Sequence, residues 1–291
     1  MNTEPAPLAE SDTVIVVSDS ADPVAIRASR SKSAVIHVDE LCDFMTVQPW
    51  PEMLRIEVPD FFNDAVRGAR VINRIFSLHG TKVAAMLRAE KVDVRWFHIR
   101  IRPWLDLAAC LAHDTGTRGV SRTLLPLDAQ WFEIKRGAPE VLTPDFIRSR
   151  GWERPDLSRL DNPFQKSVWS LFDWKVERAM TREENESSQF HVSKPRGVPL
   201  IPWYLGRSAQ GVYFPGKQVD VDHAAIRRIV SVARKVFRSD AGEMLLFAEG
   251  ASLRFHAFSP LLATIAAFVD VTREIDEWIC CGHQGELRVP L

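Results

Sequence analysis

Apolar and polar positions fall into blocks along the chain, and the blocks name its elements. Thr13-Val-Ile-Val-Val17 is an almost unbroken apolar run, the pattern of a strand buried on both faces. It ends in the polar turn Ser18-Asp19-Ser20-Ala21-Asp22-Pro23. Asp22 stands at the position of a helix N-cap and Pro23 at the first helical residue, so a short helix to about Ser31 is predicted. Further strands are expected at 34–38, 53–58 and 69–75, and a helix at 83–90. Strands alternating with short helices predict an open α/β sheet for this first lobe.

From Arg95 to Arg102 the alternation is strict, with Trp96, His98, Arg100 and Arg102 on one face and Phe97, Ile99 and Ile101 on the other. That is a half-buried strand with a cationic outer face, stopped by Pro103, and a short helix is expected at 106–112. Residues 130–135 and 140–142 flank Arg136-Gly137-Ala138-Pro139, which reads as a hairpin turn. The stretch 143–163, rich in Pro, Arg, Gly and Asp, is the candidate boundary or long ordered loop. A Trp-rich helix is predicted at 165–180 with Val168, Leu171, Phe172 and Val176 as its stripe, followed by a polar, exposed and mobile stretch at 181–189.

The last seventy residues carry the clearest pattern. A capped amphipathic helix is predicted at 220–239, with Ile226, Ile229, Val230, Ala233, Val236 and Phe237 at helical spacing. Strands at 243–248 and 252–258 follow, joined through Glu249-Gly250-Ala251. A second helix, from near Leu261 to about Ile279, aligns Leu262, Ile265, Phe268, Val269, Ile275 and Trp278. Both stripes are expected to pack on the hairpin bearing Leu245, Phe247, Leu253 and Phe255, leaving Arg227, Arg234 and Arg238 in solvent. On that reading Phe268→Ala costs about 3–5 kcal/mol, and Arg234→Ala less than about 0.5 kcal/mol.

Composition narrows the class. The chain has 291 residues, 46% hydrophobic and 26% charged, as a folded soluble protein of one or two domains has. No apolar run approaches the roughly 20 residues that cross a bilayer. The longest, around 261–271, is broken by Thr264 and Asp270, and the N-terminus lacks the basic and apolar regions of a signal peptide, so a cytoplasmic location and no membrane partner are expected. The cysteines at 42, 110, 280 and 281 form no disulfide framework. Cys280-Cys281-Gly282-His283 has adjacent thiols, which chelate one ion poorly, and no metal site is expected.

The net charge of −1 is unevenly spread. Residues 1–60 hold 4 basic and 11 acidic side chains, residues 61–160 hold 17 and 11, and the remainder holds 16 of each. Such a split suits either a charged ligand held between lobes or two solvated faces. Within the basic part, His113-Asp114-Thr115-Gly116-Thr117-Arg118-Gly119-Val120-Ser121-Arg122 is the candidate anion-contact loop. Its glycines free backbone amides to face an oxyanion, Thr117 and Ser121 donate hydroxyls, and Arg118 and Arg122 neutralise charge, with Arg100 and Arg102 extending the patch. The loop has neither P-loop nor dinucleotide-fold order. No Gly-x-Ser-x-Gly elbow or His-Glu-x-x-His helix is present, and without a reader motif or net positive charge nucleic acid is excluded as a partner. His256, between apolar neighbours, reads as a partly buried core histidine. Of nine tryptophans, Trp203 with Tyr204 follows Lys194-Pro-Arg-Gly-Val-Pro-Leu-Ile-Pro202, and this pair is expected to line an exposed groove for a peptide or partner protein.

Three places resemble ATP-grasp proteins, in particular the branch acting on ribosomal peptides. They are the turn Ser18–Pro23 after the first strand, the strand end Val71-Ile72-Asn73-Arg74, and the helix–hairpin–helix block from Gln218 to Ile279. The resemblance implies a small open-sheet α/β N-terminal lobe, residues 1–110, and an α+β ATP-grasp-like body, residues 111–291. It also implies magnesium held against a triphosphate, so that a carboxylate is phosphorylated and attacked by an amine. The family's second strand ends in Glu-x-Asn, where this chain has His256-Ala257-Phe258-Ser259-Pro260, with Glu243 and Glu249 the nearby carboxylates. The expected function is therefore peptide or natural-product modification by binding a partner or peptide, without the usual metal-dependent catalysis. An active ATP- and magnesium-dependent carboxylate–amine ligase is the alternative, and a structural or interaction protein with no nucleotide chemistry is the third reading.

Overall fold

The computed structural model describes residues 13–29, 33–42, 47–49, 54–56, 70–75, 81–89, 125–150, 155–166, 174–175, 188–206, 209–237 and 239–280. The chain divides into two compact units. One takes the chain to Thr123, the short piece Arg238–Asp240 and everything from Asp270; the other takes Leu124–Phe237 and Ala241–Val269. The segment from Asp270 is grouped with the chain's opening one.

In the first unit, β1 (Thr13–Val17) is the centre of a three-stranded parallel sheet, flanked by β2 (Ala34–His37) and β5 (Arg70–Arg74). All five residues of β1 are buried, as a strand covered on both faces requires. The expected third strand is found as β4 (Leu54–Ile56), but it pairs with β3 (Val47–Pro49) in a separate antiparallel hairpin. Helix α1 (Pro23–Ala28) starts where predicted, with the Asp22 carboxylate accepting from the Val24 and Ala25 amides at 2.9 and 3.1 Å. Helices α2 (Val38–Cys42) and α3 (Lys82–Ala89) contact each other.

The second unit holds two four-stranded sheets. One has the order β6-β9-β7-β8, from β6 (Phe146–Arg150), β7 (Phe164–Lys166), β8 (Trp174–Lys175) and β9 (Ser188–Val192). The other has the order β11-β10-β12-β13, from β10 (Val198–Leu205), β11 (Ala209–Tyr213), β12 (Ala241–Glu249) and β13 (Ser252–Ser259). Helix α4 (Leu127–Gly137) lies against β13 and α5 (His223–Phe237). The predicted amphipathic helix is α5, with Ile226, Ile229, Val230 and Ala233 buried. The predicted strand pair is β12–β13, turned through Gly250 at φ 63°, a left-handed conformation that glycine adopts without cost.

Four expectations are corrected. Residues 130–142 form no hairpin: α4 runs on to Gly137, its face of Leu127, Gln130, Trp131 and Ile134 buried, and burial of that face outweighs the breaking tendency of Gly137. Within 165–180 the described residues form β7 and β8, because 164–166 pairs with β9 and 174–175 with β7. The loop expected over 143–163 contains β6. Finally, the closing helix is two helices, α6 (Ala263–Phe268) in the second unit and α7 (Thr272–Cys280) in the first. Val269 leaves the helical region at φ −127°, and Asp270 accepts from the Thr272 amide to start α7.

That break relocates the stripe. Ile275 and Trp278 are buried in the first unit, where α7 packs on α1 through the Arg27–Asp276 pair. Phe268, expected in the core, is 67% exposed and stacks on Tyr213 at 5.8 Å between ring centroids. Arg234, expected in solvent, is half-buried with its guanidinium 4.6 Å from the centroid of the buried Tyr204 ring. Their order of importance is accordingly reversed. Phe268→Ala is expected to cost about 1 kcal/mol, the scale of an exposed aromatic pair. Arg234→Ala is expected to cost about 2 kcal/mol, that of a desolvated cation–π contact. Denaturant midpoints of the two variants check this, and a larger shift for Phe268→Ala would contradict it.

Candidate functional site

Arg100, Arg102, Thr117, Arg118, Ser121 and Arg122 lie outside the described residues, as does the loop 113–122. Trp203 and Tyr204 are described, on β10, and both are buried, so they line no exposed groove. Trp203 lies across Gly211 of β11, where a β-carbon would come within 2.8 Å of its indole, and Tyr204 packs with Phe258 and Arg234. The apolar half of each aromatic ring won over its polar tip.

The strand pair β12–β13, where the resemblance expects metal-binding residues, is described completely. Residues opposite each other across an antiparallel pair point to the same side of the sheet. One side therefore carries Tyr204, Gly242, Met244 and Phe258, and the other carries Trp203, Glu243, Leu245, Ala257 and Ser259. The first side faces α5: Phe237 of that helix stacks on Phe258 at 4.2 Å and on Phe255 at 6.4 Å. Gly242 leaves room for the Phe258 ring, since a β-carbon there would lie 2.2 Å from it.

Glu243 is on the other side, 1% exposed, and its carboxylate is engaged. Oε1 accepts from the Thr264 amide at 3.2 Å and Oε2 from the Ile265 amide at 2.9 Å. The residue at the helix's own cap position, Leu262, has φ 59° and offers no side-chain bond, so Glu243 caps α6 from 21 residues away. Opposite Glu243, Ser259 accepts the Leu261 amide at 3.2 Å. Magnesium requires oxygen ligands in near-octahedral array. Phe258 offers none, His256 offers imidazole, and both Glu243 oxygens already accept amide bonds. Neither of the strand-end positions, 256 and 258, carries an oxygen ligand for the ion. Among the described residues no cluster of three or more His, Cys, Asp or Glu stands ready for a metal.

Elsewhere in the unit, two further charged groups are held by neighbours. Asp222 heads α5, and the amides of Ala225 and Ala224 hold its carboxyl below the ordinary carboxylate range. Arg254 on β13 makes a two-pronged contact with Glu249 at 2.7 and 3.0 Å and donates to the Thr143 carbonyl at 2.6 Å, and Glu249 raises its pKa above the usual value. In the first unit, Arg74 at the end of β5 donates from Nε and Nη2 to Asp22 at 3.0 and 2.7 Å. The side chains of that pair are each 2% exposed, which gives the predicted strand end Asn73-Arg74 a structural role. Sequence reasoning missed the partnership of Gln130 and Trp131 with β13 and the cap made by Glu243. An amide and an indole at adjacent positions of an apolar face were the only signal.

Compared by sequence, the chain matches no family model and no curated protein. Compared by structure, it is similar to the ATP-grasp ligase PsnB complexed with a phosphomimetic variant of its minimal precursor, Mg and ADP. The TM-score is 0.55 at 14% identity, over 94% of this chain and 99% of that one. PsnB with precursor peptide PsnA2 and AMPPNP gives a TM-score of 0.54 at 13% identity, over 94% and 98%. The macrocyclase MdnC from Microcystis aeruginosa MRC, bound with precursor peptide MdnA, gives 0.50 at 11% identity, over 92% and 99%. Likeness along nearly the whole of both chains, with the strand pair and its flanking helices in place, shows that this chain has the ATP-grasp fold.

Proposed function

We propose that this protein works in peptide or natural-product modification by binding a peptide or partner protein, without the magnesium-dependent catalysis usual for its fold. The carrying observation is Glu243, whose two carboxylate oxygens are both committed to α6. The peptide assignment is supported by the neighbours PsnB and MdnC, whose structures hold precursor peptides. Arg100, Arg102, Thr117, Arg118, Ser121 and Arg122 are the proposed contacts for an anionic group of the partner or of a nucleotide. The described residues include no helix long and apolar enough to cross a membrane, in keeping with work in the cytoplasm.

The test is turnover and binding of ATP by the full chain. The isolated protein is expected to release no ADP with magnesium present, and calorimetry with a non-hydrolysable ATP analogue is expected to show no magnesium-dependent heat. Steady ADP release that disappears in Glu243→Gln would instead establish the ligase reading.

A further inference from the structure

A bulge in β13 bears on the cation question independently of which residues stand there. Down the β12–β13 ladder, Met244 pairs with Phe258 and Leu245 with Ala257, but Leu246 pairs with Phe255. His256 is the extra residue. A regular strand puts residues i and i+2 on one side, whereas one inserted residue breaks that alternation. Phe255 and Phe258, three apart, accordingly share the α5 side and both stack on Phe237. His256 packs instead edge-on to Phe247, whose ladder partner is Arg254.

The bulge is held from outside the sheet. β13 is an edge strand, and its outward polar groups would be open to another chain. Four of them are met by neighbours. Leu142 donates to the Leu253 carbonyl and accepts the Phe255 amide, both at 2.8 Å. The Trp131 indole N–H of α4 donates to the His256 carbonyl at 2.9 Å, and Gln130 Oε1, fully buried, accepts the Phe258 amide at 2.9 Å. The backbone groups met are those of 253, 255, 256 and 258, a sequence that fits the bulged strand and no regular one.

We infer that this bulge, fixed by Gln130 and Trp131, keeps positions 256 and 258 on opposite sides of the sheet, so that no pair of side chains placed there jointly holds a divalent cation. Gln130 and Trp131 are positioning residues of this arrangement. The inference rests on the fold reading, where a Glu-x-Asn strand end is the expectation, but concerns backbone geometry alone. ADP release through other residues would sink the proposed function and leave it standing.

Two measurements test it. In the wild-type protein, nuclear Overhauser contacts are expected to link Leu245 with Ala257 and Leu246 with Phe255, with both the Phe255 and Phe258 rings near Phe237. Cross-strand contacts pairing Leu246 with His256 would overturn the inference. Manganese titrated into His256→Glu/Phe258→Asn and followed by electron paramagnetic resonance is expected to bind no more tightly than to wild type. Binding at least tenfold tighter that requires both substitutions together would overturn it. Should the double variant fail to fold, the wild-type contacts decide.

Discussion

Replacing Arg74 with Ala is expected to destabilise the first unit by about 3–5 kcal/mol, the cost of leaving one member of a buried ion pair without the other. The guanidinium is held by Asp22 at 2.7 and 3.0 Å, with each side chain 2% exposed, so water cannot replace it. The damage should spread, because the same carboxylate caps α1 through the Val24 and Ala25 amides. Changing both members, Asp22→Asn with Arg74→Met, should cost less than the single change, since no uncompensated charge is left and Asn still caps. Urea denaturation followed by a probe in the first unit reads both. A loss below about 1 kcal/mol for Arg74→Ala would show that this end of the sheet is open to solvent.

The second large effect is expected at Phe258. Its ring fills the space over Gly242, stacks on Phe237 at 4.2 Å and lies beside Tyr204 at 6.3 Å. Phe258→Ala should cost about 3–5 kcal/mol, the range for emptying a buried aromatic site. Gly242→Ala should cost about 1–3 kcal/mol, by forcing a β-carbon against that ring. These two effects should not add: with the ring gone, the new methyl group enters the space it left, and the double variant should be more stable than the sum of the single losses implies. Additive losses would mean that the ring and Gly242 are not in contact.

What could be read from sequence was what neighbouring residues decide among themselves. Asp22 and Pro23 begin α1 because the cap and first turn lie within three residues, and Gly250 turns the β12–β13 hairpin in the same local way. The stripe of α5 was legible because its face is continuous. Helix α4 was misread because Gly137 and Pro139 resemble a turn, while the bonds that fix Gln130 and Trp131 reach residues 128 and 125 positions away. The same limit hid the site. Nothing near Ala263 announces that its helix is capped by Glu243, and nothing near Phe258 announces a bulge two residues earlier. Phe268 kept helical spacing with Ile275, but Val269 turns the chain between them and the two side chains fall in different units.

The return of α7 to the opening segment sets an order for biosynthesis. The Thr13 hydroxyl donates to the carbonyl of Ile279 across 266 residues, and Arg27 meets Asp276 across 249. While the ribosome is still adding the middle of the chain, β1 and α1 therefore wait with one flank uncovered. The second unit, begun later, has all of its strands and helices once Phe268 has emerged. Loop closure over such a span is slow relative to contacts made between residues close in sequence. These early elements are thus completed only when α7 emerges, and until then the flank that α7 covers stays open to other contacts.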